Sequence, residues 1–150
     1  MTVIAWDGKI VAVDTLELYD HIKTATTKLH RLMYDRETVV AYCGDSRAGW
    51  ALYQWAEVHQ FNPEKFPDQS SSDAHRADLI VFRKGQKPLE YSHSPVGYPV
   101  DHPYLAWGAG HEIAVAALAL GKNAIEAALL ACKLSNTCGE PVLHEVINET

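Results

Sequence analysis

Cysteine is scarce in this 150-residue chain. Cys43, Cys132 and Cys138 are an odd number and form no CxxC pair. That argues against a disulfide framework and for free thiols in a reducing compartment, so a cytoplasmic protein is expected. No run of basic residues occurs. The formal net charge is −6, from 13 Lys and Arg against 19 Asp and Glu, so nucleic acid is not an expected partner. The longest apolar stretch, Ile113 to Leu120, is far too short to cross a bilayer. The N-terminus carries no charged segment ahead of an apolar one, so neither a signal peptide nor a membrane partner is expected. Metal-binding patterns are missing too. His93, Asp101 and His102 are of ligand type, but they sit in a proline-rich stretch without helical spacing. His111 and Glu112 begin an HExxH pattern that fails at Val115. No metal and no cofactor are expected.

What is present is an ordinary globular composition, 47% apolar and 21% charged. At this length a single domain over residues 1–150 is expected, burying on the order of 70% of its unfolded surface. The first fifteen residues, MTVIAWDGKIVAVDT, read as a β-hairpin: Val3 to Trp6, an Asp7-Gly8 turn, and Ile10 to Val13 returning. Asp-Gly between β-rich runs predicts a two-residue type I′ turn. Such a turn brings Asp14 back to the chain start. If Met1 is removed, Thr2 becomes a free N-terminal threonine near a carboxylate, and a threonine hydroxyl with its own α-amine as base is a known nucleophilic pairing. With Met1 attached, Thr2 has no free amine.

Further along, Leu16 to Thr27 has no clean period and reads as a loop. Lys28 to Tyr34 alternates like a strand, Asp35 to Glu37 form a turn, and Thr38 to Cys43 is a buried strand ended by Gly44. Asp45 or Ser46 caps a helix to about His59, whose two apolar stripes predict packing on two sides. Trp50, Trp55 and Trp107 read as core or interface residues. Phe61 to His75, with two prolines and three serines, reads as a mobile surface excursion. Ala77 to Arg83, Pro88 to His93 and Tyr104 to Trp107 read as strands, with Ser94 to Pro103 a loop. Two alanine-rich helices, His111 to Leu120 and Asn123 to Leu134, follow, the second opened by an Asn123/Glu126 capping box. Pro141 to Ile147 is a last strand. This order suggests an α+β fold of two sheets with helices outside.

The opening hairpin ending in Asp14, Lys28 before an alternating strand, VVAYCGDSRAGW and LAWGAGHEIAVAALALG together resemble the proteasome β-type family of N-terminal-nucleophile hydrolases, which includes HslV-type proteases. The resemblance runs from Thr2 to about Cys138 and suggests a compact bacterial or phage-type member. It implies a four-layer αββα sandwich of two antiparallel sheets. It maps the catalytic threonine to Thr2, the acid to Asp14, the lysine to Lys28 and the oxyanion-binding glycine to Gly44. Residues after Lys28 and around Gly44, including Leu29, Arg31 and Cys43, would line the specificity pocket. The implied partners are identical subunits in a homo-oligomeric double ring, an unfolded polypeptide substrate and an ATPase unfoldase.

The chemistry is consistent with that mapping. A free α-amine has a reference pKa of about 7.7–8.0, so part of it is neutral near pH 7. A lysine alongside would favour the neutral amine by like-charge repulsion and stabilise developing negative charge. A backbone N–H at a strand-to-helix junction suits an oxyanion, and losing such a donor costs roughly 10²–10³ in rate. Two departures stand out. Ala109 occupies a position where family members carry a serine, and Asn136 and Gly139 replace an aspartate and a serine three residues apart. They motivate a second expectation, a catalytically weak or inactive ring subunit. A third keeps the fold and replaces peptides by a small amide, since a fold does not fix a substrate.

Overall fold

A computed structural model describes residues 2–69 and 75–149. The chain divides into two compact units, Met1–Leu29 with His102–Thr150, and His30–Asp101.

The first unit is built on a four-stranded antiparallel sheet. Its strands are β1 (Ile4–Trp6), β2 (Ile10–Val13), β10 (Leu105–Trp107) and β11 (Leu143–Val146), in the order β10-β1-β2-β11. Two helices, α2 (His111–Ala119) and α3 (Ala124–Leu134), pack on one face. Val3, Ala5 and Ala12 meet Ala114, Ala117, Ala124, Ala127, Ala128 and Ala131 there. Small side chains on both sides let helix and sheet backbones approach closely. Ile4, Val11 and Val13, which alternate with these residues, are also fully buried. Each contributes about 1.5–3 kcal/mol by leaving water.

The opening hairpin forms, with a different turn. Trp6 pairs with Val11, and the Asp7 N–H donates to the Ile10 carbonyl at 3.2 Å, so the turn centres on Gly8 and Lys9. Gly8 takes φ +94°, whereas Asp7 does not have the positive φ a type I′ turn at Asp7-Gly8 requires. The Asp7 carboxylate instead accepts the amides of Lys9 (2.8 Å) and Ile10 (2.7 Å), an Asx-type turn. Its other oxygen accepts the Ala124 amide at 2.8 Å and so ties the turn to the start of α3. The capping box of α3 is present, with Asn123 and Glu126 exchanging side chain-to-amide bonds.

Residues 16–25 are not a loop. They form a two-stranded ribbon, β3 (Leu16–Tyr19) and β4 (Ile22–Ala25), with Asp20 at φ +51° in its turn. Its residues are half-buried or exposed, so it lacks the apolar inner face that makes a strand easy to read.

The second unit carries a five-stranded sheet in the order β5-β6-β7-β8-β9: β5 (Leu29–Arg31), β6 (Thr38–Gly44), β7 (Ala77–Arg83), β8 (Leu89–Tyr91) and β9 (Tyr98–Pro99). The described pairings from β6 to β9 are antiparallel. Helix α1 (Ser46–Glu57) is capped by the Asp45 carboxylate, which accepts the Ala48 amide at 3.0 Å. The helix buries one stripe, Gly49, Leu52, Trp55 and Ala56, rather than two. Trp50 on the other stripe is 51% exposed, so it is not core, while Trp55 and Trp107 are buried. The excursion after α1 is anchored as far as Gln69. Phe61 and Phe66 pack edge-on against Trp55, whose indole N–H donates to the Asn62 carbonyl at 2.7 Å. The Gln69 amide donates to the Ala77 and Ser92 carbonyls at 2.9 and 3.0 Å. The remainder of that predicted excursion, residues 70–74, lies outside the described residues.

Candidate active site

Thr2, Asp14 and Lys28 are all buried, 2%, 0% and 3% exposed. Three polar groups so far from water need partners within the protein. Hairpin pairing supplies the first. Ile4 pairs with Val13, which places residue 14 across from residue 3. The Asp14 N–H donates to the Val3 carbonyl at 3.2 Å, and the Val3 N–H donates to Asp14 Oδ1 at 3.0 Å. The Lys28 ammonium lies 3.5 Å from the same oxygen. Its shorter bond, 2.6 Å, goes to the Leu16 carbonyl. Asp14 Oδ2 accepts the Gly139 N–H at 3.1 Å. The carboxylate therefore has two backbone amides and one cation as hydrogen-bond partners, which offsets the cost of its burial.

Thr2 itself is held through its main chain. Its carbonyl accepts the Gly110 N–H at 3.1 Å. A Cβ at Gly108 would lie 2.2 Å from that carbonyl oxygen, so only glycine admits this approach, and its φ of +91° also favours glycine. His111 Nδ1 lies 2.7 Å from the Gly108 carbonyl, which assigns the ring proton to that nitrogen. Ala109, where the resembled family carries a serine, sits between these two glycines.

The structure thus brings Asp14 and Lys28 together and links them to the residue after Thr2. Sequence reasoning missed three supporting contacts: those of the Leu16 carbonyl and of the Gly139 amide, and the approach of the Thr2 carbonyl to the Gly108–Gly110 loop, of which only the Ala109 departure was read. The first two use backbone atoms, which leave no residue-type signal. The Gly-Ala-Gly spacing was visible, and positive φ at its first glycine is the physical reason for it.

The other predicted site residues lie in or border the second unit. Gly44 ends β6 with φ +103°, immediately before the Asp45 cap of α1. A Cβ there would fall 2.5 Å from the Arg76 carbonyl oxygen, so glycine is required sterically as well. Leu29 is buried. Arg31 is half-buried, and its guanidinium donates to the Arg36 carbonyl at 2.5 Å. Cys43 is buried, and burial pushes its thiol pKa up to about 12. In the first unit, burial and then the nearby Asp14 charge push Cys132 up to about 12, and burial also raises Cys138. Neutral thiols are poor nucleophiles. Among the described residues no group of three or more His, Cys, Asp or Glu could hold a metal ion, and no helix is long and apolar enough to cross a membrane.

Among the described residues, this α+β arrangement of sheets and three α-helices has the fold of HslV. In particular, the chain is similar to eukaryotic HslV from Trypanosoma brucei, with a TM-score of 0.70 and 20% identity over 100% of both chains. It is also similar to BPH from Thiobacillus denitrificans, with a TM-score of 0.66 and 18% identity over 97% of each chain. The same figures hold for BPH in complex with epoxomicin. At 18–20% identity the likeness is one of fold. No protein-family model matches the chain, and no curated protein matches it.

Proposed function

We propose that the protein is a threonine-type endopeptidase in which Thr2, freed by removal of Met1, is the nucleophile. The observation that carries this reading is the buried Asp14 carboxylate, which holds both the Lys28 ammonium and the amide that follows Thr2. A lysine and an aspartate are expensive to bury without a task, because desolvation offsets their attraction. The similar BPH from Thiobacillus denitrificans has a structure in complex with epoxomicin, which supports this reading.

In this reading the Thr2 hydroxyl attacks a peptide carbonyl while the α-amine takes its proton. Lys28 stabilises the developing negative charge, and the Gly44 amide is assigned to the oxyanion. Collapse expels the amine product, which receives the proton, and leaves an ester on Thr2. Water then hydrolyses that ester. Leu29, Arg31 and Cys43 belong to the proposed substrate-binding residues. The four-layer αββα sandwich, one domain over 1–150, a cytoplasmic homo-oligomeric double ring, unfolded polypeptide as substrate and an ATPase unfoldase as partner complete the proposal.

A second reading, a ring subunit with little or no activity, is favoured by Ala109 and by Asn136, which is exposed. Fluorogenic peptide turnover by protein whose first residue is Thr2, compared with Thr2→Ala, separates the two. Turnover that vanishes in the variant supports the peptidase. Equal, background-level signals from both support the inactive subunit. A small-amide substrate is indicated if only short amides are turned over.

A further inference from the structure

Asp14, Thr15 and Leu16 are consecutive, and the two outer residues supply two acceptors that hold Lys28: Oδ1 of Asp14 and the Leu16 carbonyl. The middle residue bonds elsewhere. Thr15 is buried, and all three of its polar groups are engaged. Its hydroxyl donates to the Pro141 carbonyl at 2.6 Å, its N–H donates to the Gly139 carbonyl at 3.2 Å, and its carbonyl accepts the Thr26 N–H at 2.8 Å. The same short segment, residues 139–141, returns a bond to the neighbouring residue, because the Gly139 N–H donates to Asp14 Oδ2 at 3.1 Å. Thr15 and Asp14 together therefore hold this segment by three hydrogen bonds, and the ribbon base at Thr26 holds Thr15 from its other side.

We infer that Thr15 is a positioning residue for the Asp14–Lys28 pair: it clamps residues 139–141, whose Gly139 amide fixes Asp14 Oδ2, and it fixes the peptide that presents the Leu16 carbonyl to Lys28. This role rests on reading Thr2, Asp14 and Lys28 as the active site. Thr15 touches none of the reacting groups. Its hydroxyl matters because its bond to the Pro141 carbonyl is partly buried, and losing that donor loosens the segment that carries the carbonyl. Rotation of residue 15 moves both of its neighbours, and so two acceptors of the buried ammonium. Gly139 offers an independent perturbation. A Cβ there would lie 3.0 Å from Leu16 Cβ, so Gly139→Ala keeps every N–H donor and pushes directly on the residue beneath Lys28.

The test uses full-length protein beginning at Thr2, as wild type, Thr15→Val, Thr15→Ser and Gly139→Ala. Two quantities are read: amide hydrogen exchange at Val3 and Gly139, resolved by fragmentation mass spectrometry, and the rate of covalent modification by epoxomicin. Thr15→Val, which keeps the shape and removes the hydroxyl, is expected to speed exchange at both amides about tenfold while leaving the amides of α3 unchanged. It is expected to slow the saturated modification rate about tenfold with little change in the half-saturating concentration. Thr15→Ser restores both quantities, and Gly139→Ala slows modification as Thr15→Val does. Unchanged exchange in Thr15→Val, a Thr15→Ser protein indistinguishable from Thr15→Val, or faster exchange with an undiminished modification rate would each overturn the proposal. If wild-type protein takes up no epoxomicin, the active-site reading has failed, and the exchange arm alone decides whether Thr15 clamps Asp14.

Discussion

Val3 and Asp14 exchange hydrogen bonds across the base of the opening hairpin: one joins main chain to main chain at 3.2 Å, and the other joins the Val3 amide to the Asp14 carboxylate at 3.0 Å. The acid is thereby fixed to the backbone one residue beyond Thr2. Among the described residues its two oxygens accept hydrogen bonds from N–H donors of Val3, Lys28 and Gly139. Asp14→Asn would place a donor where acceptors are required and remove a counter-charge from Lys28. The expected loss of stability is about 3–5 kcal/mol, read from urea unfolding. A loss under about 1 kcal/mol would show that the pair is not structurally coupled.

Gly108→Ala and Gly121→Ala separate steric from conformational cost. Both glycines have φ +91°, but nothing lies within 4 Å of a Cβ at Gly121, whereas at Gly108 the Thr2 carbonyl oxygen is 2.2 Å away. Gly121→Ala should cost about 1 kcal/mol from the left-handed backbone alone. Gly108→Ala should cost at least about 2 kcal/mol more, because the start of the chain must move. Thermal unfolding of the two variants measures the difference.

Gly49→Ala opposes helix propensity with packing. Alanine in the middle of α1 should stabilise the helix by about 1 kcal/mol. Its Cβ would lie 2.1 Å from Cδ1 of Tyr42 on β6, and Tyr42 is buried in the core of the second unit. Overpacking of this kind costs about 1–3 kcal/mol, so a net destabilisation is expected by chemical denaturation. A stabilised variant would show that Tyr42 moves freely.

Cys43 gives the fold an alkaline limit. Burial raises its pKa from 9.0 to about 12, so above pH 9 the unfolded chain loses a proton that the folded chain keeps. The folded state then binds more protons, and stability falls as pH rises from 9 toward 12. Cys43→Ala should remove that part of the decline, seen as a flatter dependence of unfolding midpoint on pH. At neutral pH the native thiol should react with alkylating agents only as fast as the protein opens.

The elements readable from the sequence were those with one strong local cause. Thr38 to Cys43 is a continuous β-branched and apolar run, and β6 covers it, extended by Gly44. Asn123 and Glu126 form the expected capping box because their spacing alone dictates it. The ribbon at Leu16–Ala25 escaped because its residues are half-buried or exposed and no core face imposes a clean alternation. A short signal existed: Tyr19 and Ile22 flank Asp20-His21, and aspartate tolerates the positive φ that it adopts. At the site, closeness of Asp14 to the chain start followed from the hairpin, although the turn shifted by one residue. The Leu16 and Gly139 backbone contacts were illegible, since any residue type offers those atoms. The one-sided burial of α1 was obscured by Trp50 and Tyr53. They lie against His30 of β5 and each other beside the buried stripe, with Trp50 half exposed, an aromatic cluster that mimics a second core stripe.

The most direct measurement of the central claim is the intact mass of protein beginning at Thr2 after incubation with epoxomicin, followed by fragmentation to locate any added mass. The account predicts one added inhibitor per chain, carried on Thr2, and none on protein that retains Met1 or on Lys28→Met. An unmodified chain that demonstrably begins at Thr2, or a label on any other residue, would contradict it.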